Sequence, residues 1–379
     1  MNKVERYPAL DAMRGIAALT VMASHIFGDV RESKWGWVVK EYIDKSPLST
    51  MTWGISPVMF FFVLSGFVLS ISAEAHDLRK LPAFWARRIV RIWVPYVVAL
   101  VCFCLLSAAT MKFHGGLYPW ANDAFRAPFE WGDFLKHVLL IGSNYQIHYM
   151  GVSWSLVHEL RVSLILPFLL VLLWSRRWTV MLLASVATFY LGHWLLDRAD
   201  QSVYSIGLRN TIYVSSMFMM GIIIARYRNR IIESMRGMSR ETRFVLIALA
   251  VTFYGGSFWN FGISFLPWYP IGALLGCSAL VCLGITSSGK SAIVHSRFSQ
   301  WLGKVSYSLY LWHPAVLMVC FRLMNESHPV AITLVAIVAT FAISDISYRL
   351  VEGPSITLGR SLAKKINGAL SNRAVVSSQ

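Results

Sequence analysis

Charge is scarce in this chain. Only 14% of its 379 residues are Asp, Glu, Lys or Arg, whereas soluble domains carry about 25%. The polar surface of a soluble fold is therefore missing. Metal-ligating or redox cysteine spacing is missing too. The five cysteines, Cys102, Cys104, Cys277, Cys282 and Cys320, all fall in apolar runs, and Cys102 and Cys104 diverge on a helix. They are expected to be inert buried thiols, with no metal site and no disulfide framework. No internal repeat is visible, and the longest loop, about 111–150, is too short for a second soluble domain. The N-terminus has no A-x-A-like cleavage site and carries Asp11 and Arg14 in its apolar stretch, so it is expected to be retained rather than cleaved as a signal peptide. The net charge of +16 is not matched by any basic stretch interleaved with exposed aromatics, so no nucleic acid is expected as a partner.

What is present is hydrophobic. Apolar residues make up 56% of the chain, the mean hydropathy is +0.54, and runs of about 20 apolar residues recur along almost its whole length. The 15 Trp and 15 Tyr suit interfacial aromatic belts. The pattern predicts an all-α, polytopic transmembrane helix bundle of about ten spans, at about 9–28, 51–73, 88–110, 151–174, 178–196, 208–226, 243–260, 267–285, 302–322 and 328–350. A further, partly embedded helix is possible between Trp131 and Tyr149. Both termini are expected in the cytoplasm. That orientation gathers Arg79, Lys80, Arg87, Arg88, Arg176, Arg177, Arg226, Arg228, Arg230, Lys364 and Lys365 inside. It leaves Asp29, Glu32, Asp44, Asp123, Asp133 and Asp197 outside. Residues 1–354 read as one transmembrane domain and 355–379 as a short basic cytoplasmic tail, expected to be mobile.

Several ionisable residues sit inside these apolar runs. Each costs roughly 2.5–3.5 kcal/mol near a bilayer centre, so it has to face protein or water. On the first helix Arg14 and His25 project within roughly 20° of one another, with His25 about 16 Å further along the axis. The plain structural alternative is a local Asp11–Arg14 pair near the surface and a hydrogen-bonded core histidine. In the fourth span Ser155, His158 and Glu159 share a face at i, i+3 and i+4. An unpaired Glu159 would be driven to protonate, so it is expected to meet a histidine, an arginine or water, although a structural clamp between helices is the competing reading. In the ninth span Ser306, Tyr310 and His313 form one stripe, followed by Pro314, a residue that kinks helices. Arg88 and Arg91 share a face at the start of the third span. Positive-inside anchoring explains them, yet paired guanidiniums at a cytoplasmic mouth also suit phosphate oxygens. Ser65 and Gly66 read as a close-packing point, and Asp345, Arg349 and Glu352 as a structural ion-pair chain.

Taken together these segments resemble the acyltransferase-3 family of integral-membrane acyltransferases. The pieces that match are Leu10-Asp-Ala-Met-Arg-Gly-Ile-Ala-Ala-Leu19 with His25, Phe61-Phe-Val-Leu-Ser-Gly-Phe67, and Arg88-x-x-Arg91 with Pro95-Tyr96. They continue with Trp154-Ser-Leu-x-x-Glu159, Ser306-Tyr-Ser-Leu-Tyr-Leu-Trp-His313 and Tyr348-x-x-x-Glu352-x-Pro354. They stand in the family's order along nearly the entire chain. The resemblance implies about ten helices and O-acylation, commonly O-acetylation from acetyl-CoA, of a hydroxyl on a carbohydrate or glycolipid. It implies a bacterial inner membrane as the setting. It marks Arg14 and His25 as the hallmark pair and associates Arg88 and Arg91 with the CoA donor. One departure is that Glu159 is followed by Leu-Arg rather than the Phe-Tyr of many members, so His158 and Arg161 belong to a variant pattern. The resemblance covers the membrane module, and an SGNH hydrolase-like domain is not expected.

The expected machinery is therefore His25 as catalytic base, with a transient acyl carrier as its alternative role, oriented by Glu159 or His313 from other spans. Arg14 would hold a phosphate or pantetheine part of acetyl-CoA, and Arg88 and Arg91 its nucleotide phosphates. No metal is expected, and the sequence carries no signal for oligomeric state. The competing class is a proton-coupled transporter relaying protons through His25, Glu159 and His313. The missing repeat and the few broken helices speak against it. A non-catalytic scaffold fits poorly with so much intramembrane charge.

Overall fold

In the computed structural model, residues 6–32, 36–46, 52, 54–113, 129–141, 147–197, 203–255, 268–287, 292–324 and 329–376 are described. They are helical throughout, with no strand among them. Eleven long helices follow one another: α1 (Pro8–Glu32), α2 (Ile55–Ser70), α3 (Leu81–Thr110), α4 (Ser153–Leu173), α5 (Trp178–Asp197), α6 (Val203–Arg236), α7 (Arg240–Gly255), α8 (Trp268–Thr286), α9 (Arg297–Leu323), α10 (Pro329–Ser347) and α11 (Gly353–Val376). The first ten stand where the apolar runs predict helices. Five helical stretches, Leu78–Thr110, Ser153–Leu173, Trp178–Leu195, Gly207–Arg236 and Val330–Leu370, are long and apolar enough to cross a membrane. Between Trp131 and Tyr149 the structure has a helix at Trp131–Val138 and the start of another at Ile147–Met150. Residues 114–128, with Asp123, and 142–146 lie outside the described residues, as do the side chains of Asp29, Glu32 and Asp197.

The bundle carries apolar side chains on both its inside and its outside. Phe60, Phe67, Tyr96, Phe103 and Phe218 are fully buried. Leu105, Leu183, Val338 and Phe244 are about two-thirds exposed or more, a surface that suits lipid rather than water. With little hydrophobic drive between helices in lipid, small residues set the close contacts. At the α1–α9 crossing, a Cβ on Gly15 would lie 2.8 Å from the Gly303 nitrogen. One on Gly303 would overlap the Asp11 carbonyl oxygen. Gly66 and Gly221 play the same part between α2 and α6, where a Cβ on either would strike the other helix's backbone. Pro314 does not interrupt its helix, since α9 runs through it to Leu323.

The segment after Pro354, expected as a mobile tail, is instead helix α11, packed along α3. Ser355, Gly359 and Ala363 are buried at four-residue spacing, and a Cβ on Gly359 would come within 3.2 Å of the Arg87 carbonyl oxygen. This small-residue stripe lets the helix lie close. A π-helical turn, Tyr348–Glu352, joins α10 to α11.

Candidate active site

Helices α1, α2, α3, α4 and α9 and the π-helical turn border a cavity of about 120 Å³, room for about four waters at their ~30 Å³ share of the liquid. Its wall follows α2 from Val58 to Leu69, about 16 Å along the axis. Toward the Leu69 end the wall is charged, with Arg14, Arg88, Arg91, Glu159 and Glu352. Toward the Val58 end it is formed by Phe61, Phe62, Ser155 and Tyr310.

The three arginines differ in what they are free to bind. Arg88 is buried, donating from Nη2 to Glu159 Oε1 at 2.5 Å and from Nε to Ser163 Oγ at 3.0 Å. Ser65 Oγ donates to the same Glu159 oxygen at 3.1 Å. A charge this deep needs such a partner, and Glu159 supplies it. Arg14 is also committed. Its Nη2 and Nε donate to the Gly303 carbonyl oxygen at 2.5 and 3.2 Å, Nε reaches Ser306 Oγ at 2.9 Å, and Asp11 lies 3.7 Å away at i,i+3. The local Asp11–Arg14 pair of the plain reading thus exists beside a tether to α9. Arg91 faces the same cavity with no hydrogen bond or ion pair among the described residues.

Glu352 is the wall residue that the reading of the residues misplaced. The expected chain through Asp345, Arg349 and Glu352 stops after its first link. Arg349 pairs with Asp345 at 2.7 Å on the exposed side, where Trp301 Nε1 also donates to Asp345 at 2.8 Å. Glu352 is 3% exposed and turns inward, its Oε2 accepting from the Ser308 hydroxyl at 2.6 Å and the Ser308 amide at 3.2 Å. The π-helical turn inserts an extra residue into the helical repeat, so a face drawn at 3.6 residues per turn points the wrong way. The signal that could have found Glu352 is its place in the Tyr-x-x-x-Glu-x-Pro segment.

His25 and His313 meet. His25 Nδ1 lies 2.9 Å from His313 Nε2. His313 Nδ1 lies 3.0 Å from the Leu309 carbonyl oxygen, to which it can only donate. In a neutral His313 the proton is then on Nδ1 and Nε2 accepts, so His25 Nδ1 carries the shared hydrogen and His25 Nε2 is the basic nitrogen. Glu159 does not orient this pair, because its partners are Arg88 and Ser65. Nor do the two imidazoles line the cavity. Tyr310 stands between, its ring 5.9 Å from that of His313 and its hydroxyl bonded to Ser155 Oγ at 2.6 Å and the Val152 carbonyl oxygen at 3.1 Å. His158 turns away from Ser155 and Glu159, contrary to the expected shared face. It is buried against α6, where its Nδ1 meets Thr211 Oγ1 at 3.0 Å. Among the described residues, no group of three His, Cys, Asp or Glu side chains is placed to hold a metal ion.

Known proteins bear on this arrangement. The chain is similar to the peptidoglycan O-acetyltransferase OatA of Listeria monocytogenes, 23% identical over 385 residues that cover 93% of this chain and 57% of the relative. It is likewise similar to the O-acetyltransferase OatA of Staphylococcus aureus, 24% identical over 378 residues covering 92% and 57%. The chain therefore spans under three-fifths of the length of these curated relatives. No solved structure matches it. Residues 7–349, which hold Arg14, the histidine pair, Arg88, Arg91 and Glu159, match the family described as the acyltransferase domain, and this chain belongs to that family of acyltransferases.

Proposed function

We propose that this protein is a membrane O-acyltransferase that moves an acetyl group from cytoplasmic acetyl-CoA to a hydroxyl of a saccharide or glycoconjugate. The observation that carries the reading is the hydrogen-bonded His25–His313 pair, set one helical turn beyond a cavity whose opposite end presents Arg91. The name of the Listeria relative, a peptidoglycan O-acetyltransferase, supports a glycan acceptor of the peptidoglycan kind; the setting in this reading is a bacterial cytoplasmic membrane. The basic loops support an orientation with both termini inside.

The chemistry needs a base. A sugar hydroxyl is a weak nucleophile at neutral pH, and a positioned imidazole contributes about 10²–10⁴-fold by taking its proton. His25 Nε2 removes that proton as the hydroxyl oxygen attacks the thioester carbonyl. The resulting imidazolium keeps its Nδ1–H bond to neutral His313, which spreads the new charge without a second proton transfer. Collapse of the tetrahedral intermediate breaks the C–S bond, and the CoA thiolate takes up the proton held by His25. His313, rather than Glu159, is the orienting partner in this scheme. Arg88, neutralised by Glu159, shapes the wall, and Arg91 is the guanidinium available to a donor phosphate. Arg14 ties α1 to α9 and presents its remaining edge to the donor.

The test uses purified protein in liposomes with labelled acetyl-CoA and a set of glycan acceptors. Expected are CoA release and acceptor labelling, both abolished in His25→Ala protein that keeps its wild-type unfolding profile. CoA should protect Arg91 from a guanidine-directed reagent. Solute flux independent of CoA, with no acyl transfer, would overturn the reading in favour of a transporter.

A further inference from the structure

We propose that the Phe61–Tyr310 ring pair is an acyl-size filter, a partition that lets an acetyl group reach the histidine pair and holds back longer acyl chains. The inference rests on the acyltransferase reading and goes beyond it by naming what sets donor specificity.

The partition is built from fixed parts. Phe61 and Tyr310 meet edge to face, with ring centroids 6.1 Å apart and an interplanar angle of 80°, a favoured aromatic geometry. Tyr310 is 5% exposed, and its hydroxyl is latched to α4 by Ser155 and the Val152 carbonyl oxygen. Phe61 is only half-buried because one side of it faces the cavity. Both rings line the cavity, whereas His25 and His313 do not. On α9 the next turn beyond Tyr310 carries His313. A thioester entering from the Arg91 end therefore meets these two rings before it meets the imidazoles.

The surroundings of the rings leave little room for adjustment. Phe61 also packs against the buried cluster of Ala18, Leu302 and Leu309, and α2 is held against α6 at the Gly66–Gly221 backbone contact. On this proposal an acyl group passes by displacing the two rings. Every added methylene increases that displacement, and one methylene in a shaped apolar pocket is worth about 10–200-fold in discrimination.

The experiment compares acetyl-, propionyl- and butyryl-CoA as donors for wild type, Phe61→Ala and Phe61→Leu in liposomes, reading kcat/KM from CoA release. Wild type should prefer acetyl over butyryl by about tenfold or more for each methylene. Both Phe61 variants should raise the butyryl-to-acetyl ratio, Ala more than Leu. The Leu variant keeps an apolar side chain in the wall and so guards against a folding defect in the Ala variant. Equal use of acetyl and butyryl by wild type, or an unchanged ratio in a folded Phe61 variant, would overturn the filter while leaving the acyltransferase reading intact. Absence of CoA release from every donor would overturn both.

Discussion

Replacing Glu159 with leucine removes the partner of a buried guanidinium. Arg88 keeps its charge, since an arginine is not deprotonated in a protein. In Glu159→Leu it would retain only Ser163 from its present partners. Breaking a buried ion pair from one side costs about 3–5 kcal/mol. The lower part of that range applies here, because the Glu159 side chain is 18% exposed to the cavity and water can enter there. The expected loss is therefore about 3 kcal/mol. Arg88→Leu alone leaves a carboxylate that the cavity can hydrate, so it should cost less. The pair Arg88→Leu with Glu159→Leu should recover most of the stability, as buried ion pairs replaced by apolar side chains often do. Unfolding in mixed micelles followed by tryptophan fluorescence, arranged as a double-mutant cycle, gives the coupling directly. A coupling below about 0.5 kcal/mol, the scatter expected of independent sites, would refute the assignment of Glu159 to Arg88.

Two other outcomes follow from the geometry. Gly303→Ala should lower stability by about 1–3 kcal/mol, the usual cost of overpacking, because its Cβ would sit 2.6 Å from the Asp11 carbonyl carbon. A thermal scan in detergent checks this, and a wild-type melting temperature would contradict the close α1–α9 crossing. His313→Ala should slow turnover by at least about tenfold, or about 1.4 kcal/mol in the barrier. His313→Gln, which retains a hydrogen-bond acceptor for His25, should slow it less. Equal turnover in both variants and wild type would remove His313 from the machinery.

Much of the fold was legible because lipid imposes long apolar runs, and ten helices stand at the ten expected places. Of the ninth-span residues, Ser306 and Tyr310 line the cavity and His313 lies beyond them. Partner choice was less legible. Periodicity gave Glu159 a face but not a neighbour, and the arginine that claims it comes from a helix more than seventy residues earlier. His158 faces a different neighbour from Glu159 because consecutive helical residues project about 100° apart, and here α6 receives the one and α3 the other. Glu352 was hidden by a π-helical turn that leaves no mark in hydropathy. Helix α11 was hidden by its polar residues, although Ser355, Gly359 and Ala363 repeat at the spacing of a packed stripe.

The double fastening of α1 to α9 has a mechanical consequence. Near one end the Arg14 guanidinium grips the Gly303 carbonyl oxygen, and further along His25 grips His313. Two rods pinned at two separate heights cannot slide or twist against each other without releasing a pin. Any widening of the passage during turnover must then come from side chains rather than from these rods, with rings such as Phe61 swinging while the paired helices serve as the stationary jaw.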